Sequence, residues 1–219
     1  MILAQCGASL SDSDLTEAQR EQILLIRRKA KEMSEMISHL LFLSRADQGR
    51  QTLNRERVDV SELTEMAAEE QQMLADEAGK GVEITCRVKE GITAYVDETF
   101  YIRMLINLIS NAVTHSGENS RVTVSLDSDG EWLTGKVEDN GIGISEKDLP
   151  HIWERFYRVD TSRSGSSHSG LGLSMVKWIA EAHGGSVEAE SVPGKGCVFT
   201  FRIPVDGEES PSDRIREKK

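Results

Sequence analysis

The sequence predicts an α+β protein, a two-layer α/β sandwich preceded by one long helix of a dimerisation bundle. Three observations carry that expectation. Residues 14–48 contain no proline or glycine, and they set Ile23, Ile26, Ala30, Met33, Ile37 and Leu40 at alternating steps of three and four. That is the seam spacing of a coiled coil or helix bundle. Beyond Gly49, short alternating strand patterns cluster with amphipathic helices interspersed irregularly, which favours α+β layering over a regular βαβ winding. With 38% hydrophobic and 29% charged residues among 219, the composition is that of a folded globular chain.

Taken in order, residues 1–9 read as the end of an earlier helix, and the long helix follows with Asp14 as its cap and Gly49 just past its end. At about 1.5 Å per residue it extends roughly 50 Å. A second stripe of Met36, Leu40 and Leu43 widens the apolar face and suits a multi-helix bundle. Together these segments read as half of a helical hairpin whose first half is mostly missing. A strand is expected over 53–58. A helix follows from Ser61 to Ala78, stopped by Gly79-Lys80-Gly81, then strands over 82–88 and 93–96. The helix over 97–116 shows an apolar face of Phe100, Met104, Leu105 and Leu108. Residues 121–126 and 132–138 form a hairpin around Ser128-Asp129-Gly130. Residues 170–183 form a helix, and 186–192 with 196–203 a last hairpin around Pro193-Gly194-Lys195. The expected division is 1–50 for the helical hairpin, 51–205 for the sandwich and 206–219 for a polar tail.

Charge and cysteine usage exclude several classes. With 26 Lys and Arg against 37 Asp and Glu, the formal net charge is −11, which argues against nucleic acid as a partner. No apolar run approaches the roughly 20 residues that span a bilayer, and no signal-peptide pattern opens the chain. Cys6, Cys86 and Cys197 are scattered and the five histidines equally so, so neither a disulfide framework nor a metal held by protein ligands alone is expected. A reducing, cytoplasmic setting fits, with no membrane contact by this stretch itself.

Asn107 and Asn111, four apart on a helix, leave the same face one turn apart. A carboxamide oxygen is a hard ligand suited to Mg²⁺, which is commonly held partly by substrate phosphates; such pairs also occur as solvent-facing or capping residues. Asp139-Asn140-Gly141-Ile142-Gly143-Ile144 follows a strand. Its carboxylate can accept from an exocyclic amino group, and its glycines let the backbone pass close to a flat ring; it also fits an ordinary D-G turn. Neither glycine pair extends to G-x-G-x-x-G, and Lys195 is followed by Gly196, so dinucleotide and P-loop fingerprints both fail. Residues 161–170 read TSRSGSSHSG, immediately before Leu171-Gly172-Leu173 opens a helix. Composition says flexible loop, while its place before a helix N-terminus suits phosphate under a mobile lid.

The order of these segments is the specific signal. NLISNA (107–112), DNGIGI (139–144), ERFYR (154–158) and GLGL (170–173) closely resemble the N, first glycine, F and second glycine boxes of the catalytic ATP-binding domain of bacterial sensor histidine kinases. HLLFLSRADQG (39–49) resembles the end of that family's dimerisation helix. The resemblance covers nearly the whole chain.

The resemblance implies a Bergerat-type fold, ATP and Mg²⁺ as cofactors, and transfer of the terminal phosphate to a histidine and thence to a response-regulator aspartate. Asp139 would read the adenine amino group, with Gly141, Gly143 and Ile144 turning past the base. Asn111 would hold Mg²⁺, supported by Asn107. Backbone N–H groups around Gly170, Leu171, Gly172 and Leu173 would cradle phosphate, and Arg158 would face the terminal one. The related gyrase and Hsp90 ATPases carry a glutamate at the position of Asn107; its absence favours transfer over hydrolysis. Thr114 and His115 stand where the family often has Lys and Tyr, putting an imidazole beside the nucleotide. No histidine here has the phosphoacceptor context H-E-L-R-T-P, so self-phosphorylation on the usual histidine is not expected. The implied partners are a response-regulator receiver domain and a second copy of the intact parent, which upstream segments would anchor to the cytoplasmic membrane. The alternative is a non-catalytic nucleotide-binding docking module of the same fold.

Overall fold

Two packed helices open the chain, α1 (Ile2–Leu10) and α2 (Glu17–Asp47), in a computed structural model that describes residues 2–10, 15–159 and 170–207. The expected cap, Asp14, lies outside the described residues. Thr16 takes that role: its hydroxyl accepts from the Gln19 N–H at 3.4 Å, and the Gln19 side chain accepts from the Thr16 N–H at 2.9 Å. This reciprocal arrangement satisfies two donors that a helix start leaves unpaired. At the other end Gly49 adopts a φ of +63°. Ile26, Met33, Ile37 and Leu40 of the apolar seam are exposed, whereas Phe42 and Leu43 enter the core beneath α2.

The expected strand over 53–58 is shorter and shifted. β1 (Glu56–Asp59) pairs antiparallel with the four-residue β3 (Thr93–Val96). Ahead of it the Asn54 N–H is taken by the Asp97 carboxylate at 2.7 Å rather than by a strand partner. The next helix, α3 (Val60–Glu77), starts one residue early because Asp59 caps it. Ser61 instead donates to the Lys89 carbonyl and accepts from the Ile92 N–H, tying down the connection into β3.

The main sheet runs β2–β4–β5–β7–β6, formed by β2 (Glu83–Val88), β4 (Arg121–Ser128), β5 (Trp132–Asp139), β6 (Ser186–Val192) and β7 (Gly196–Pro204). Only β2 and β4 pair in parallel. One face buries Val122, Val124, Leu126, Leu133, Val137, Phe199, Phe201 and Ile203, and the alternating residues on the other face are polar or part-exposed, the pattern of a sheet covered on one side. The covering layer is α3, α4 (Glu98–His115) and α5 (Gly172–Ala182). Met104, Leu105, Leu108 and Ile109 give α4 a fully buried stripe. Asp97 caps its start through the Phe100 N–H, and Ser116 closes its end. The two-layer α+β architecture is as the sequence predicts. The proposed lid residues 161–169, including His168, and the tail beyond 207 lie outside the described residues.

α2 is fastened to this sandwich by aromatic rings. Phe42 meets Trp178 edge-on at 4.8 Å between centroids and Phe100 at 5.4 Å, while the Arg103 guanidinium lies over the Phe42 ring at 5.5 Å. Edge-to-face pairs each add about 0.5–1.5 kcal/mol beyond their buried area.

Candidate functional site

α4 is the spine of the site. Its C-terminal half carries Asn107, Asn111 and His115 at intervals of four, so the three side chains share one stripe. That stripe faces a cavity of about 630 Å³, within the range of small-molecule sites. Asp139, Gly143 and Ile144 line it from the end of β5 and the loop beyond; Arg158, Gly170, Gly172 and Leu173 close another side. Residues as far apart in sequence as Asn107 and Leu173, 66 positions, therefore meet around one space. Gly141 and Leu171 stand behind the wall: both are buried, Gly141 against the His115 carbonyl and the Leu171 side chain in the core.

Asp139 ends β5 and is only 6% exposed. Its Oδ1 accepts from the Gly141 N–H at 2.8 Å. Burial nonetheless pushes its carboxyl above the usual range, against the opposing pull of the Gly141 and Cys197 N–H groups. A carboxylate held this way, in a partly apolar cavity, suits a hydrogen-bond donor on a flat ligand better than bulk water does. At Gly141 any side chain would strike the His115 carbonyl. The loop can turn that tightly only with glycine there.

Asn107 is locked in place, its amide donating to the Arg103 carbonyl at 2.7 Å. Gly172, the first residue of α5, comes so close that a Cβ there would lie 2.7 Å from Asn107 Oδ1. The helix start thus abuts the carboxamide, and its free N–H groups lie beside the cavity, where the helix dipole favours an anion. Upstream, the Phe156 N–H donates to the Gly170 carbonyl at 2.9 Å, pinning both flanks of the stretch 160–169. Asp148 accepts from Ser145 and Tyr157 at 2.5 and 2.7 Å, which holds its carboxyl below the usual range and fixes the segment carrying Arg158.

Among the described residues no cluster of three His, Cys, Asp or Glu side chains is placed to hold a metal. The Asn111 carboxamide oxygen on the cavity wall is the donor that suits Mg²⁺ bound mainly by phosphate and water. The cavity also extends where sequence reasoning did not look, to Glu32, Met36 and His39 of α2 and to Arg103 and Tyr157. Arg103 was findable, being one turn before Asn107 on the same face. His39 was not, because its entry depends on how α2 docks.

Residues 96–207 match the family model described as histidine kinase-, DNA gyrase B- and HSP90-like ATPase. The sensor-like histidine kinase SenX3 of Mycobacterium tuberculosis is 33% identical over 198 residues, which are 90% of this chain and 47% of SenX3. The sensor histidine kinase WalK of Bacillus subtilis is 31% identical, over 85% of this chain and 31% of WalK. This chain therefore spans about half the length, or less, of these curated relatives. Among solved structures, full-length ShkA in complex with AMPPNP matches with a TM-score of 0.78 at 27% identity, over 96% of this chain and 43% of ShkA. Among the described residues no helix is long and apolar enough to cross a membrane. The chain belongs to the histidine kinase-, DNA gyrase B- and HSP90-like ATPase family, and residues 96–207 are an ATP-binding domain of the sensor-histidine-kinase type.

Proposed function

We propose that this chain binds Mg·ATP in the α4 cavity and passes the terminal phosphoryl group to a histidine supplied by a longer copy, from which it moves to a response-regulator aspartate. The convergence of Asn107, Asn111, Asp139 and Gly172 on one cavity is the observation that carries this reading. Asp139 accepts from the adenine amino group, with Gly141, Gly143 and Ile144 shaping the slot and His115 beside the base. Asn111 holds Mg²⁺ against the phosphates, with Asn107 supporting it. The N–H groups of Gly170, Leu171, Gly172 and Leu173 cradle the phosphate chain, and Arg158 faces its terminal group. Bound Mg²⁺ neutralises phosphate charge, and the residues named contribute positioning and charge stabilisation, which is most of what phosphoryl transfer requires. As the histidine nitrogen bonds to phosphorus, the bond to the ADP oxygen breaks and ADP leaves. No carboxylate occupies position 107 to activate water, which supports transfer over hydrolysis. The exposed apolar stripe of α2 supports a homodimer of the parent through a helical bundle, and the likeness to sensor kinases supports a receiver domain as partner and a cytoplasmic site of action.

The test mixes this chain with an N-terminally extended copy carrying Asn111→Ala, in terminal-phosphate-labelled ATP. An acid-labile, base-stable label on the extended copy above its own background is the expected result. Mg·ATP binding and heterodimer formation without label would favour a non-catalytic docking module.

A further inference from the structure

Along α4 the cavity residues follow an order. His115 stands beside the Asp139 loop, whose Ile142 N–H donates to its carbonyl at 3.2 Å; Asn111 comes next; Asn107 abuts Gly172. One further turn on, about 6 Å along the axis, Arg103 reaches the end of the cavity that α2 closes. Its guanidinium is half-buried over Phe42 and has no carboxylate partner among the described residues. Across from it, His39 forms part of the wall, and its Nδ1 is shut off from solvent with no hydrogen-bond partner among the described residues. Burial, and then the Arg103 cation, hold the imidazole below its ordinary pKa and therefore neutral. Buried polar nitrogens in folded proteins are normally satisfied. Although Glu32 also lines this cavity, a cation with no ion-pair partner among the described residues, beside an unsatisfied ring nitrogen at the far end of a nucleotide cavity, matches a phosphate oxygen in charge and hydrogen-bonding capacity.

We propose that Arg103 of α4 and His39 of α2 together form a subsite for the terminal phosphate of the nucleotide, so that the bound triphosphate bridges the helical hairpin and the sandwich. This rests on the cavity being an ATP site. Arg103 contributes charge and His39 a ring N–H, reached by rotation about its Cβ–Cγ bond. A diphosphate is one group too short to reach the pair, so the subsite distinguishes ATP from ADP and couples that difference to the docking of α2.

The test compares Mg·AMPPNP with Mg·ADP on the full chain. His39→Ala and Arg103→Ala should each weaken AMPPNP binding by about tenfold, the effect of one charge-assisted hydrogen bond, and leave ADP binding within about twofold; Arg103→Lys should recover part of the loss. In the unmutated chain, amide exchange over residues 36–43 should slow with AMPPNP more than with ADP. Equal losses for both nucleotides, or equal exchange with both, would overturn the subsite while leaving the ATP site standing. Failure of the unmutated chain to bind either nucleotide would overturn both.

Discussion

Arg155, in the segment after β5, grips both carboxylate oxygens of Asp47 in the last turn of α2, with Nη1 to Oδ2 at 2.6 Å and Nη2 to Oδ1 at 2.5 Å. The pair joins the flank of the 160–169 stretch to the end of the long helix, 108 positions away. The guanidinium bonds hold the Asp47 carboxyl below its ordinary range, so the grip persists above the ordinary carboxylate pKa and is lost as pH falls through the lowered value. Both side chains are substantially exposed, so solvent and salt screen the pair. Arg155→Ala is expected to leave the unfolding midpoint nearly unchanged while speeding amide exchange in the last turn of α2, read by mass spectrometry.

Asp139 sets function against stability. Because burial raises its folded-state pKa, the native state binds its proton more readily than the unfolded chain, and this group's unfavourable contribution fades as pH falls through the raised value. Asp139→Asn removes the buried charge and keeps an oxygen for the Gly141 N–H. Its unfolding midpoint without nucleotide should equal or exceed that of the unmutated chain, whereas calorimetric titration should show ATP affinity lowered by about tenfold or more.

Gly172→Ala tests the approach of α5 to α4. Alanine favours a helix over glycine by at most about 1 kcal/mol, but its Cβ would lie 2.7 Å from Asn107 Oδ1. The contact is relieved only if α5 or the Asn107 carboxamide shifts, and that carboxamide is the group held by the Arg103 carbonyl. Thermal unfolding should shift little, and AMPPNP affinity should fall by about tenfold; unchanged affinity would refute the stated role of this contact.

His183 is a pH-sensitive fastening away from the cavity. It is 2% exposed, its Nε2 accepts from the Asp97 N–H at 3.0 Å, and its Nδ1 faces the Ile179 carbonyl at 2.8 Å. These partners require the neutral ring with the proton on Nδ1. Burial holds its pKa below 6.5, so its contribution is intact above that value and is lost as acid protonates first the unfolded chain and then the native ring. Unfolding free energy should fall by up to about 1.4 kcal/mol per pH unit from this one proton, and His183→Gln should flatten that limb in denaturant titrations between about pH 7 and pH 5.

What the sequence made legible was local. α4 was expected over 97–116 and spans Glu98–His115, because its cap at Asp97, its apolar stripe and its stop at Ser116 are all encoded within one segment. β3 and β6 were bounded to the residue, each flanked by turn residues. β1 was misjudged because its length depends on β3, and Asn54 finds its partner 43 positions away. In the site, Asn107, Asn111 and Asp139 stood out because their spacing on one helix or after one strand carries chemistry. His39 and Arg103 did not, since nothing near Phe42 in sequence announces that its ring will dock on Trp178 and Phe100 and carry His39 to the cavity wall.

The hydrogen bond from the Phe156 N–H to the Gly170 carbonyl makes the stretch between them an insertable cassette. Phe156 and Gly170 meet directly through this bond, and because loop-closure entropy grows only slowly with length, about 0.6 kcal/mol per doubling for a flexible chain, a reporter segment grafted between them is expected to leave nucleotide affinity within about twofold, as a calorimetric titration of the graft would show.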